Sequence, residues 1–102
     1  MSTKEYTTLK DFYPYYLTEH KNRTNRRLHF VGTSIFIILA TYMILTQSWK
    51  LFFLLPVIGY GFAWAGHFFI EKNRPATFTY PILSLRSDFV MWYQILTGKI
   101  KF

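Results

Sequence analysis

Two uncharged stretches organise the chain: Leu28 to Trp49 and Leu51 to Ile70 contain no aspartate, glutamate, lysine or arginine, and only Lys50 lies between them. Each reaches the ~20 residues that a helix needs to cross a ~30 Å hydrocarbon layer. With Gln47, Ser48 and Lys50 as the polar separators, they predict a tight antiparallel hairpin of two spans, over 25–48 and 50–73. Trp49 is expected at the interface that the turn reaches. Gly59, Ala63 and Gly66 form a small-residue strip in the second span, which suits close approach of a partner helix and leaves room for a homo-oligomer. Pro56 predicts a kink, and Pro75 the end of the span.

The flanks are more polar. Asp11 is expected to cap a helix over 11–20 with Pro14 in its first turn, and Phe12, Tyr13, Tyr16 and Leu17 give it an aromatic stripe. Such a stripe suits a helix lying at a membrane surface; a helix packed on a soluble core carries the same pattern. Asn22, Thr24 and Asn25 predict a break, with Thr24 or Asn25 capping the first span. Beyond Pro75, Phe78–Leu96 is apolar in places but holds Arg86 and Asp88. Either charge costs ~2.5–3.5 kcal/mol at a span centre, so the stretch predicts an interfacial helix over 83–97, anchored by Trp92 and Tyr93 and ended by Gly98. The expected fold is all-α: an integral-membrane helical hairpin of two transmembrane helices with amphipathic interfacial helices before and after it, in one domain over 1–102.

Charge then orients the hairpin. The net charge is +7, and eleven of the twelve basic residues lie at the open end: Lys4, Lys10, Lys21, Arg23, Arg26 and Arg27 before the first run, and Lys72, Arg74, Arg86, Lys99 and Lys101 after the second. This positive-inside pattern predicts both termini, and any chemistry at this end, on the cytoplasmic side of an endoplasmic reticulum or bacterial inner membrane. Charge so arranged argues for a membrane-lipid partner and against nucleic acid. The polar residues 1–10 predict no secretory signal. The absence of cysteine excludes disulfides, thiolate metal sites and cysteine nucleophiles.

Candidate chemistry gathers where the second span ends, at Gly66-His67-Phe68-Phe69-Ile70-Glu71-Lys72-Asn73-Arg74-Pro75-Ala76. His67 and Glu71, four apart, share a helix face and can share a metal ion or a proton; equally, His67 can hydrogen-bond a neighbouring helix while Glu71 pairs with Lys72 or Arg74. A turn centred on Ser48 sets His29 and His67 nineteen residues away on either side, so both lie at one depth, with Glu71 a turn further out. His20 and His29 are nine apart and converge only if the chain breaks between them. Three histidines and a few carboxylates without cysteine suit a first-row metal held through imidazole nitrogen. Two histidines and a carboxylate make the set of non-heme iron(II) oxygenases, and zinc hydrolysis uses a similar set with a position open for water.

Three blocks in order carry a resemblance: Tyr15-Tyr16-Leu17 with Glu19-His20-Lys21-Asn22, Asn25 and Leu28-His29-Phe30-Val31-Gly32; then Gly66-His67 with Glu71-Lys72-Asn73-Arg74-Pro75-Ala76; then Ser87-Asp88-Phe89 with Met91-Trp92. From about Tyr15 to Gly98 the chain resembles the small membrane proteins related to the fungal 2-hydroxy fatty acid dioxygenase of the endoplasmic reticulum. The resemblance implies an iron(II)-dependent oxygenase that uses molecular oxygen to shorten a 2-hydroxy fatty acid by one carbon. His20, His29 and His67 match the family's histidines, which the resemblance makes the metal ligands; Glu71, Asn73 and Asp88 match polar positions and become candidate catalytic residues. Arg74, with Arg27 or Arg86, is expected to hold the substrate carboxylate. A chelating hydroxy acid and oxygen leave three of six iron positions for protein, so the histidines are expected to fill them and Glu71 to orient a ligand. Two histidines with Glu71 is the competing set. A non-catalytic membrane adaptor and a zinc-dependent lipid hydrolase are the alternatives from other classes.

Overall fold

The computed structural model describes residues 6–75 and 78–102. Lys4 of the charge pattern and Ala76 of the second motif block lie outside them. Helix α1 spans Leu9–Thr18 and α2 Arg23–Thr46; a 3-10 stretch, Trp49–Phe53, leads into α3, Leu54–Ala65; a π-helical turn covers Gly66–Glu71; α4 is Pro81–Leu96. No strand occurs among the described residues. The fold is all-α, and α2 (24 residues) and the continuous run Trp49–Glu71 (23 residues) are long and apolar enough to cross a membrane. Their outer faces suit lipid: Ile38, Leu45, Phe53 and Val57 are between 65% and 80% exposed. Apolar exposure on that scale marks a surface meant to be covered.

Several element ends differ from expectation. Thr8, not Asp11, caps α1 by accepting a hydrogen bond from the Asp11 amide at 3.2 Å. The helix therefore starts earlier, and Pro14 falls inside it on the exposed side. Asn22 caps α2 in place of Thr24 or Asn25, its Oδ1 accepting from the Thr24 amide at 2.8 Å; this frees Asn25 to be buried. Gln47 adopts a left-handed conformation and the Ser48 amide donates to the Met43 carbonyl at 2.9 Å, which closes α2 and turns the chain. At Pro56 the winding changes: the chain is 3-10 up to Phe53 and α-helical from Leu54, so the proline sits in a first turn where no N–H is needed. The second span stops at Lys72, again left-handed, ahead of Pro75. Helix α4 starts at Pro81 rather than Leu83 because proline at the first helical position has its φ already set.

Bare backbone sets the spacing of the hairpin. A Cβ on Gly32 would stand 2.6 Å from Phe62 Cβ, and one on Gly66 would overlap the Asn25 carboxamide; at Gly59 it would meet the Phe36 ring at 3.5 Å. The hydrophobic core lies beside the hairpin, where Phe12 and Tyr16 of α1 meet Met91 and Ile95 of α4. Helix α4 is held to α2 by Trp92, whose Nε1 donates to Ser34 Oγ at 2.9 Å and whose ring stacks on Phe30. Of the two expected anchors, Trp92 is thus turned inward and Tyr93 is exposed.

The glycine contacts make a paired prediction. Gly32→Ala forces overlap worth about 1–3 kcal/mol in a packed interface, more than the gain of up to about 1 kcal/mol from replacing a helical glycine, and should lower the melting temperature in detergent. Gly61→Ala, with nothing within 4 Å, should leave it unchanged or raise it.

Candidate metal centre

The sequence distributes three imidazoles over three elements, and the fold brings them to one point. His20 follows the end of α1, His29 lies two turns into α2, and His67 sits in the π-helical turn. Their exposures are 1%, 4% and 3%. Ring centroids are 4.4 Å apart for His20 and His29, 4.5 Å for His20 and His67, and 5.1 Å for His29 and His67. One ligand nitrogen from each falls within 4.8 Å of the others. A π-helical turn widens the ladder to i→i+5 bonding and is frequent at functional sites; His67 lies within it.

Proton accounting identifies the nitrogens that remain free. His20 Nδ1 lies 2.7 Å from the Tyr16 carbonyl and His29 Nδ1 3.0 Å from the Asn25 carbonyl. A carbonyl only accepts, so both Nδ1 atoms carry the proton. His67 Nδ1 lies 2.7 Å from Asn73 Oδ1. That amide cannot be flipped, because its Nδ2 donates to the Glu19 carbonyl at 3.1 Å and to Glu19 Oε2 at 2.8 Å. All three Nε2 atoms are therefore unprotonated in the neutral rings. Nevertheless His20 Nε2 and His29 Nε2 are 3.0 Å apart, which sets lone pair against lone pair unless a cation lies between.

A proton is a poor candidate for that cation. Burial, then the charge of His29, hold the His20 imidazole well below its usual range, against the opposing pull of the Tyr16 carbonyl. A metal fits better. Ligand bonds of ~2.0–2.1 Å at right angles separate two nitrogens by about 3.0 Å, and imidazole binds metals in its neutral form. The donor set, three convergent neutral nitrogens with every other ring proton committed, fits a first-row metal ion.

Around this point is a small cavity lined by the three histidines with Tyr16, Trp64, Ser84 and Asp88 among others. The Tyr16 ring stacks on His20 at 4.0 Å, and its hydroxyl donates to Asp88 Oδ1. Burial pushes the Asp88 carboxyl up to about 7, with the Tyr16 hydrogen bond acting the other way. Tyr16 itself is pushed well above its usual value by burial and by Asp88. Ser84 is 1% exposed and its Oγ has no hydrogen-bond partner.

The other expected site residues divide clearly. Asn73 orients His67. Glu71 stands outside the nitrogen cluster: its Oε1 accepts from the Asn22 amide and from Asn25 Nδ2 at 3.4 Å, so it braces the residue whose carbonyl orients His29. Asp88 lines the cavity. The three arginines are exposed and are not brought together: Arg27 Nε donates to the Phe102 carbonyl at 3.1 Å and its guanidinium lies over that ring, while Arg74 lies over Phe78. Sequence reasoning placed Tyr16 in an aromatic stripe and Asn25 in a break or cap, and both in the first motif block, but gave neither a part in orienting a histidine. The available signal was spacing, since each lies four residues before a histidine, where a helical carbonyl can meet the ring.

A family model described as 2-hydroxy-palmitic acid dioxygenase Mpo1-like matches residues 6–100. No curated protein and no solved structure matches the chain.

Two outcomes follow from this geometry. Removing the carboxamide in Asn73→Ala frees the His67 ring and should weaken metal binding about 10–100-fold, as loss of such orienting partners does, measured by competition with a chelator. In metal-free protein the folded state holds the Asp88 proton more tightly than the unfolded chain, whose value is near 3.8. The stability this contributes is present below that value and is lost as pH rises through about 7. The melting-temperature difference between Asp88→Asn and wild type should therefore grow in favour of the variant from pH 4 to pH 8.

Proposed function

The chain belongs to the Mpo1-like family, and from that premise we propose that it is a membrane-embedded, iron(II)-dependent dioxygenase that shortens 2-hydroxy fatty acids by one carbon. The observation that carries the reading is the buried cluster of three histidines whose Nδ1 protons all have oxygen acceptors, in a family named for an oxidative activity. His20, His29 and His67 would hold the metal. When bound, it supplies an electrophilic centre for the carboxylate and 2-hydroxyl of the acid and for the activation of oxygen. Four electrons pass to each oxygen molecule as the 2-carbon becomes a carboxyl and the terminal carbon leaves as carbon dioxide, with water as the other product.

The protein's own residues have separable tasks. Three neutral imidazoles leave a dication uncompensated in a buried place, and an anionic hydroxy acid supplies the missing charge. Asn73 and the Tyr16 and Asn25 carbonyls keep the histidines in the required tautomer. Glu71 acts through Asn25 as a positioning residue. Tyr16 and Asp88 share a proton at the cavity wall, where a group with a raised value can take up or return protons as the 2-hydroxyl is oxidised. Arg74, whose neighbours Asn73 and Pro75 both belong to the site, is the arginine best situated to attract a carboxylate at the mouth. The hairpin with its basic rim supports an integral membrane location with the site and both termini on the cytoplasmic side.

Protein purified without oxygen should contain iron at one ion per chain and consume oxygen on addition of 2-hydroxypalmitate. His67→Ala should remain in the membrane fraction and lose both the metal and the oxygen uptake. Metal-free wild type would support an adaptor instead, and zinc with oxygen-independent turnover a hydrolase; full metal occupancy in His67→Ala would remove the site.

A further inference from the structure

A second cavity adjoins the histidines. It is an open cleft between α2, α3 and α4, walled by Thr33, Phe36, Tyr60, Leu85 and Phe89 and by the bare backbone of Gly59. Asp88 lines both this cleft and the histidine cavity, so the two spaces meet at that side chain. Position 59 borders the cleft with bare backbone: a Cβ there would reach contact with the Phe36 ring at 3.5 Å, so a longer side chain would enter the cleft, and Phe36 is backed by Phe89 at 5.9 Å between centroids. Leu85 is 40% exposed, so the outer end opens on the apolar face of the molecule.

We propose that this cleft holds the acyl chain of the hydroxy acid, with the polar head beyond Asp88 among the histidines. The assignment rests on the dioxygenase reading above. Its support is the adjacency of the two spaces at Asp88 and their contrasting chemistry. On the head-group side stand three imidazoles and the unpartnered Ser84 hydroxyl; on the tail side, Asp88 and Thr33 apart, the walls are aromatic and aliphatic. Helix α4 serves both, since Ser84 and Asp88 lie one turn apart on its inner side and Leu85 and Phe89 follow each by one residue. A substrate dissolved in lipid then reaches the centre sideways, without its tail passing through water. Because lipid tails are as apolar as the cleft walls, the cleft contributes placement rather than affinity: it fixes which carbon reaches the histidines.

The test uses metal-loaded protein in phosphatidylcholine vesicles and a 2-hydroxypalmitate analogue carrying a photoreactive diazirine at mid-chain. Adducts mapped by mass spectrometry should fall on Phe36, Leu85 or Phe89 and should be displaced by excess 2-hydroxypalmitate. Gly59→Leu should reduce these adducts at least tenfold with its metal content unchanged, whereas Gly61→Leu, on a face with open space, should not reduce them. Adducts confined to Val57 and Phe62 on the opposite side of the hairpin, or undiminished in Gly59→Leu, would overturn the assignment and leave the metal reading standing. Displacement by added phospholipid as effectively as by hydroxy acid would assign the cleft to structural lipid. If Gly59→Leu loses metal, the wild-type adduct map decides alone. Failure of the underlying reading shows separately, as wild-type protein that binds no metal.

Discussion

A side chain at position 66 would occupy the place of the Asn25 carboxamide, and one at position 32 would overlap Phe62. The bare backbone at these glycines lets α2 and α3 close together at the level of the histidines. The rest of the centre follows from that approach. Asn25 can lie buried against α3 only because Gly66 yields the space, and from there its carbonyl orients His29. Glu71, one turn beyond Gly66, reaches back across the same contact to Asn22 and Asn25. Loss of the spacing would cost packing, and it would also misalign the donors that give two helices a common chemical centre.

The hairpin supplies only part of the site. Helix α1 and the segment after it bring His20 and Glu19, and α4 brings Ser84 and Asp88. These outer helices are joined by the Phe12, Tyr16, Met91 and Ile95 core and by the Tyr13–Gln94 and Tyr16–Asp88 hydrogen bonds. Tyr16 belongs to both systems: it packs in that core, stacks on His20 and bonds Asp88. Hydrophobic burial at the flank thereby positions polar groups at the centre, and burial in turn shifts the protonation of Asp88.

Much of this was legible in the residue order. The two uncharged runs predicted the long helices, and equal distances from Ser48 predicted that His29 and His67 would share a depth. Depth is a matter of counting residues. Rotation about the helix axis is not, because it depends on the π-helical turn at 66–71, which no local preference announces. The role of Asn73 was hidden for the same reason: its amide meets His67 only after the chain reverses at Lys72. Asp11 and Thr8 are both good capping residues, and residue order does not choose between them; Thr8 is the cap. The positions of the guanidinium groups were not legible in the residue order either, because an arginine near a site in sequence can turn onto an aromatic ring, as Arg27 and Arg74 do.

That His20 comes from outside the hairpin bears on how the centre is completed. The hairpin by itself presents only His29 and His67, two of the three nitrogens of the cluster. The third nitrogen comes from the segment after α1, where the Tyr16 carbonyl accepts a hydrogen bond from His20 Nδ1. Completion of the three-nitrogen cluster is thus coupled to the packing of the outer helices on one another and against the hairpin.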